Sequence, residues 1–311
     1  MKQIMITGAT GFIGRHLTEH LLRNGDYCVT AIVRRGFDPG KLPQQTGCAG
    51  RMEVLELDLK EYGRIPELAK TAVDAYFALA WDGTRGKDRH DEQLQMENYR
   101  YSMEGIRAAC SMGCRKIFTA GSQAEYGRMQ GITSENAQCI PETAYGKAKL
   151  RLCMDAAGYC LENGVSFFEP RFFSLYGEDD NPKTMLLSVL KAMLENKPCR
   201  MTSCVQDWDF LHIEDAVRGL RMLLEGEHPD GIYNFASGDT RMLKDFVEEM
   251  YRITRSRSRL EYGAVPYPPE GMVSMRPSVD KLKRETGWRA VVSFSEGIRR
   301  IIKRGREEGL G

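Results

Sequence analysis

Ile4-Met5-Ile6-Thr7-Gly8-Ala9-Thr10-Gly11-Phe12-Ile13-Gly14 is the stretch on which the fold turns. Ile4–Thr7 reads as a short apolar strand, and 12–24 reads as an amphipathic helix. Between them stand three glycines spaced G-x-x-G-x-x-G. A dinucleotide needs such a turn. The first glycine allows the tight bend, the second lets backbone approach a pyrophosphate, and the third lets helix pack close to strand. The helix start then offers N–H groups to the anion. The spacing departs from G-x-G-x-x-G, so the strand before it and the helix after it carry the reading.

Outward from that turn, strand-like runs recur at Val29–Val33, Val54–Leu57, Ala75–Ala80, Ile117–Ala120 and Ser166–Phe168. Helix-like runs fill 65–71, 92–112 and 143–163. Strands apolar on both faces belong in a parallel sheet covered on two sides. The alternation predicts βαβ units and an α/β fold, a doubly wound parallel sheet of Rossmann type with a smaller C-terminal lobe. The expected division is 1–171 for dinucleotide binding with a returning segment 208–240, and 172–207 with 241–311 for substrate. Further helices are expected at 182–196, with Pro182 in the first turn, at 215–225, 243–253, 279–286 and 295–303. A strand is expected at Ile232–Phe235, and a loop around Pro266, Pro268 and Pro269.

The chain has 311 residues, with 44 Lys and Arg against 43 Asp and Glu. A net charge of +1 gives no general drive toward nucleic acid. The basic stretches Arg252–Arg259 and Arg299–Arg306 lack interleaved stacking aromatics and read as solvated surface. No apolar run reaches the ~20 residues that span a bilayer. No signal-peptide pattern opens the sequence. The nine cysteines, among them Cys48, are scattered without C-x-x-C pairs and read as reduced thiols. His16 and His20 lack the acidic partner of a zinc motif, so no metal is expected. The expected location is the cytoplasm, with no nucleic-acid or membrane partner.

The second strand ends in Val33-Arg34-Arg35-Gly36, where an NAD enzyme carries an acidic group for the ribose. Two guanidiniums there suit a phosphate instead. NADP(H) is therefore expected over NAD(H), and NAD remains possible. The alternative is that both arginines only solvate the strand end. Asp58-Leu59, after the third strand, is the expected adenine contact; Asp58 could equally cap the next turn.

Tyr145-Gly146-Lys147-Ala148-Lys149 places Tyr145 and Lys149 at i,i+4 on one helix face. An ammonium beside a phenol lowers its pKa and makes it a usable acid and base. Ser122, at the carboxyl end of the fifth strand, can hydrogen-bond a carbonyl or alcohol. With Tyr126-Gly127, Pro170-Arg171, Tyr176-Gly177 and Asp209-Phe210, these motifs resemble the extended short-chain dehydrogenase/reductase family, the NAD(P)-dependent nucleotide-sugar epimerase/dehydratase group. The resemblance spans almost the whole chain. It implies that Tyr145 moves the hydroxyl proton, Lys149 holds the nicotinamide ribose, and Ser122 orients the substrate oxygen. It places Gly8, Thr10, Gly11, Phe12, Ile13, Gly14, Leu79 and Ala80 at the cofactor, and Trp81, Gln123 and Ser174 at the substrate.

Departures from the family pattern narrow the expectation. Dehydratases carry Asp-Glu after the Ser or Thr, whereas this chain has Gln123-Ala124. The family often has Arg-Asp-Phe where this chain has Trp208-Asp209-Phe210. Trp208 cannot grip a pyrophosphate; it is a candidate substrate contact or a packed core side chain, and Arg276 is a candidate replacement or else a member of a surface ion pair. The leading expectation is 4-keto reduction of an NDP-4-keto-6-deoxyhexose with NADPH. An NAD-dependent 4-epimerase and a non-catalytic dinucleotide sensor are the alternatives. Met96, Tyr99, Met103 and Ile106, and Ala148, Leu152 and Ala156, form two apolar helical lines. Either they bury against the sheet or, as the resemblance implies, they make a homodimer.

Overall fold

A computed structural model describes residues 1–44, 49–69, 71–128, 131–267 and 271–307. Cys48, Pro268 and Pro269 lie outside the described residues. Seven parallel strands form the main sheet: β1 (Lys2–Thr7), β2 (Tyr27–Val33), β3 (Arg51–Glu56), β4 (Ala75–Ala78), β5 (Lys116–Thr119), β6 (Ser166–Phe172) and β7 (Gly231–Phe235). Their order is β7-β6-β5-β4-β1-β2-β3, and the short segment Gly121–Ser122 also pairs with β6. The chain leaves β1 toward β2 on one side and later returns to β4 on the other. That reversal opens a crevice at the strand carboxyl ends.

The first helix, α1 (Phe12–Asn24), buries Leu17, Leu21 and Leu22. Helices α2 (Glu92–Ser111) and α3 (Ala144–Glu162) cover the opposite face. Met103, Ile106, Leu152 and Ala156 are at most 3% exposed within that core, and Ala148 is buried as well. Met96 and Tyr99 are half-buried. The deeper residues of both apolar lines thus pack into the chain's own core. Helices α4 (Met185–Leu194), α5 (Ile213–Glu225), α6 (Leu243–Thr254), α7 (Asp280–Thr286) and α8 (Phe294–Glu307) complete the chain. Leu220 and Leu223 of α5 share the core of α1. Leu190, Met193, Phe210, Phe246, Met250, Phe294 and Ile298 form a separate core.

Several expected boundaries move for local reasons. Strand β3 is not buried on both faces. It is an edge strand whose Arg51, Glu53 and Glu56 are exposed and whose Val54 is 45% exposed, as edges that resist pairing often are. The expected strand 75–80 stops at Ala78, because the Thr7 hydroxyl takes the N–H groups of Leu79 and Ala80 at 3.1 and 3.3 Å. The expected helix 65–71 is a single turn, Ile65–Leu68. The helix expected from Pro182 starts at Met185, since Thr184 caps it by accepting the Leu187 N–H at 3.4 Å. Pro182 therefore precedes that helix.

The C-terminal segment is tied to the core shared by α1 and α5 through Asp215. Its buried carboxylate accepts the N–H groups of Val291 and Val292 at 2.9 and 2.8 Å. Its backbone carbonyl accepts the Trp288 indole N–H at 2.9 Å. Among the described residues no helix is long and apolar enough to cross a membrane, and the eight described cysteines are free thiols.

Candidate active site

The strand carboxyl ends open into a cavity of about 1000 Å³. Its wall begins at the glycine turn. Gly8 sits at φ 68°, a left-handed conformation that favours glycine. A Cβ there would lie 2.9 Å from the Ala80 nitrogen. A Cβ on Gly14 would overlap the Gly8 carbonyl oxygen, so α1 can start this close to β1 only through a glycine. Gly11 is the N-cap of α1 and carries no capping side chain. The first N–H groups of the helix are left to an external acceptor, and Gly8, Gly11, Phe12, Ile13 and Gly14 all line the cavity. This cradle fits the diphosphate of a dinucleotide. Leu79 lines it too; Ala80 stands behind Gly8, and Thr10 lies in the turn outside the wall. Gly14→Ala is expected to cost about 1–3 kcal/mol by overpacking and to weaken dinucleotide binding, both measurable by denaturation with and without the nucleotide.

At the end of β2 the two arginines differ. Arg35 donates to Glu61 Oε1 at 2.9 Å and to Asp58 Oδ2 at 3.3 Å. Arg34 is exposed and has no described partner. Carboxylates from the turn after β3 therefore meet one of the two guanidiniums, which the sequence reading did not anticipate. Asp58 is the N-cap of the 3-10 turn Leu59–Arg64, in a capping box with Glu61, so its capping alternative holds. Neither arginine nor Asp58-Leu59 lines the main cavity.

Thr143 starts α3 by accepting the Gly146 N–H at 3.0 Å. That cap sets Tyr145 and Lys149 one turn apart, 8% and 3% exposed, against the end of β5. The Lys149 ammonium donates to the Ala120 carbonyl at 2.9 Å and lies 3.6 Å from the Trp81 ring centroid. It is 5.9 Å from the Tyr145 ring. Burial brings Lys149 down to about 7, against the raising pull of Glu125 and Glu169. Burial also pushes the Tyr145 phenol above its ordinary value, opposed by the Ser122 hydroxyl and the charge of Arg89. This corrects the expectation of a lowered phenol pKa. In the free chain desolvation outweighs the nearby cations. Ser122 donates its backbone N–H to Glu125 Oε1 at 2.6 Å, and its hydroxyl accepts from the Ala124 N–H at 3.2 Å.

Trp81, Gln123, Ser174 and Trp208 all line the same cavity. Gln123 Oε1 and Trp208 Nε1 are buried without a hydrogen-bond partner among the described residues. Buried polar atoms are rarely left so. Arg276 is not brought to the site. It is exposed, and its Nε lies 2.8 Å from Asp207 Oδ2, a surface ion pair outside the cavity.

Sequence reasoning missed the turn 86–90. Arg85, Asp88 and Arg89 line the cavity, and the Arg89 guanidinium lies 4.7 Å from the Tyr145 ring centroid. Buried Gln95 and Asn98 of α2 hold this segment. Gln95 bonds the Trp81 indole and the Gly83 and Asp88 carbonyls, and Asn98 bonds both backbone groups of Asp82. The available signal was a pair of amides on the core face of an amphipathic helix. Also missed was a buried ion cluster of Glu125, Glu169 and Arg171. Glu125, Cys153 and Glu169 bring ligand atoms within 4.8 Å of one another, but the Arg171 guanidinium already binds the two carboxylates.

The chain is similar to known proteins over most of its length. The model of the NAD-dependent epimerase/dehydratase family matches residues 4–236. The UDP-N-acetyl-alpha-D-glucosaminuronate decarboxylase of Bacillus cytotoxicus is 24% identical over 98% of each chain. The dTDP-6-deoxy-L-talose 4-dehydrogenase (NAD(+)) of Aggregatibacter actinomycetemcomitans is 27% identical over 85% of this chain and 94% of its own. The UDP-glucose 4-epimerase of Thermotoga maritima, solved with UDP-glucose, superposes with a TM-score of 0.84 at 20% identity. That of Thermus thermophilus, solved with NAD, gives 0.83 at 20%. Both cover 98% of this chain and 99% of theirs, and they share its fold.

Proposed function

The chain belongs to the NAD-dependent epimerase/dehydratase family, and from that premise we propose that it reduces the 4-keto group of an NDP-4-keto-6-deoxyhexose with NADPH. The observation that carries the reading is the meeting of Ser122, Tyr145 and Lys149 with the glycine turn in one cavity. A protein that only senses a dinucleotide has no use for that trio. Bound at the turn, the nicotinamide cofactor supplies the hydride. The chain's own part is positional and acid–base. Ser122 holds the substrate oxygen, and Tyr145 gives it a proton. Lys149 anchors the ribose and contributes positive charge. Gln123 and Trp208 line the same cavity and shape the substrate's place in it. Gln123-Ala124, in place of an acidic pair, provides no group for eliminating water.

NADPH selection falls chiefly to Arg34. Arg34→Ser is expected to weaken NADPH at least about tenfold while sparing NADH, the worth of one charged hydrogen bond. Arg35→Ser is expected to matter less, because Glu61 and Asp58 already engage that guanidinium. Side-by-side fluorescence titrations check both. The reaction is tested by following NADPH consumption with dTDP-, UDP-, CDP- and GDP-linked 4-keto-6-deoxyhexoses. Tightly retained NAD together with interconversion of UDP-glucose and UDP-galactose would replace this reading with the epimerase one.

A further inference from the structure

The 3-10 turn Gly86–His90 lays a cation on Tyr145 that the proton transfer above does not use. The Arg89 guanidinium carbon stands over the face of the Tyr145 ring, 4.7 Å from its centroid. Arg89 is half-buried and lines the cavity. Its neighbour Arg85 lies 3.6 Å from Asp180 Oδ1, whereas no carboxylate among the described residues pairs with Arg89. The fold fixes this turn from below. Fully buried Gln95 donates to the Gly83 and Asp88 carbonyls, at 2.9 Å each, and its Oε1 accepts the Trp81 indole N–H at 2.7 Å. One amide thus ties together the two segments that carry Arg89 and Trp81. Both meet the Tyr145 ring, Arg89 as a cation on its face and Trp81 in a perpendicular contact at 6.1 Å.

We propose that Arg89 is a positioning residue: its charge, held over the Tyr145 ring, stabilises the phenolate that remains when Tyr145 gives up its proton. This rests on the reading of Tyr145 as the proton donor. In that step the phenol O–H bond breaks, its electron pair stays on the phenol, and the proton ends on the substrate oxygen. A cation over an aromatic face is attracted by the ring electrons. The attraction grows when the ring gains a full negative charge at close range. In a half-buried place salt and water screen it little. The other groups facing the phenol come from three segments. Lys149, one turn along α3, is farther away at 5.9 Å and is turned to the Ala120 carbonyl. Ser122 and Glu125 follow β5, and Trp81 follows β4. Burial is the largest influence and pushes the phenol up; the Ser122 hydroxyl and the Arg89 charge pull it down, and Glu125 adds to the upward push. Arg89 is thus the cation nearest to the ring among the described residues.

The Tyr145 phenol can be followed without any substrate. Uniform labelling with 3-fluorotyrosine makes every phenol more acidic and gives each a fluorine resonance that moves on ionisation. Tyr145→Phe removes one resonance and so identifies the one from position 145. Arg89→Met takes away the charge but leaves an unbranched side chain on the ring. Losing the cation disfavours the phenolate, so the midpoint is expected to rise by about one pH unit, the usual effect of losing an opposite charge at close range. Arg89→Lys keeps the charge and is expected to restore at least half of that shift. The alkaline limb of NADPH-dependent turnover should rise with the midpoint. An arginine that only supports the fold or only touches substrate would change stability or KM and leave the midpoint in place. An unmoved midpoint in folded Arg89→Met overturns the inference. Should that variant fail to fold, Arg89→Gln carries the same test and must move the midpoint the same way. If Tyr145→Phe abolishes turnover while the Arg89→Met midpoint stays put, this inference alone falls. Unchanged turnover in Tyr145→Phe would sink the reading beneath it, whatever the midpoint does.

Discussion

Tyr145→Phe is expected to lower turnover by about a hundred- to ten-thousand-fold, the ordinary worth of a positioned acid–base group. The dinucleotide should bind as before. The substituted ring fills the same buried place beside Trp81, in an edge contact at 6.1 Å, and the glycine cradle is untouched. Only the hydroxyl between Ser122 and the cavity is lost. The measurement is kcat under saturating NADPH, with affinity from a fluorescence titration of the same preparation. A fall in kcat without a fall in affinity separates proton transfer from cofactor binding. Equal losses in both would point to a disturbed α3 instead.

Arg171→Met is expected to destabilise the fold by about 3–5 kcal/mol, as breaking one side of a buried ion pair generally does. The methionine fills much of the volume but leaves Glu125 and Glu169 facing each other. The loss is expected to shrink as pH falls, because protonating either carboxyl relieves the repulsion. Guanidinium denaturation at two pH values gives both the size and the sign. A loss that does not depend on pH would mean that packing, not charge, is what Arg171 supplies.

Much of the architecture could be read from local pattern. The turn 7–14 and the helix after it are specified within one short segment, where glycine spacing, strand and helix meet. Tyr145 and Lys149 are similarly one helical turn apart. What stayed hidden depends on residues far apart in sequence. Arg171 meets Glu125 across 46 positions, and Arg35 meets Glu61 across 26. No periodicity signals such pairs. Arg35 looked like a free phosphate ligand because the carboxylates that hold it arrive from the turn after β3. Arg276 looked like an anion grip for the same reason, since Asp207 was not visibly its neighbour. The cavity wall at Arg85–Arg89 is fixed by amides on α2, which a pattern of apolar residues cannot reveal. Strand β3 has an edge strand's charges, but its place at the end of the sheet follows from the topology.

The seam at Asp215 bears on how such proteins can diversify. One carboxylate on the core shared by α1 and α5 receives two amides of the C-terminal segment, while the next residues of that segment enter the other core as α8. The smaller lobe is therefore not a cartridge to be exchanged at a single joint near residue 240. A graft that changes its specificity must bring Asp215 and 288–292 from one parent, or rebuild that fastening anew. Substitutions on the cavity wall leave it intact, and they are the shorter route to a new substrate on this frame.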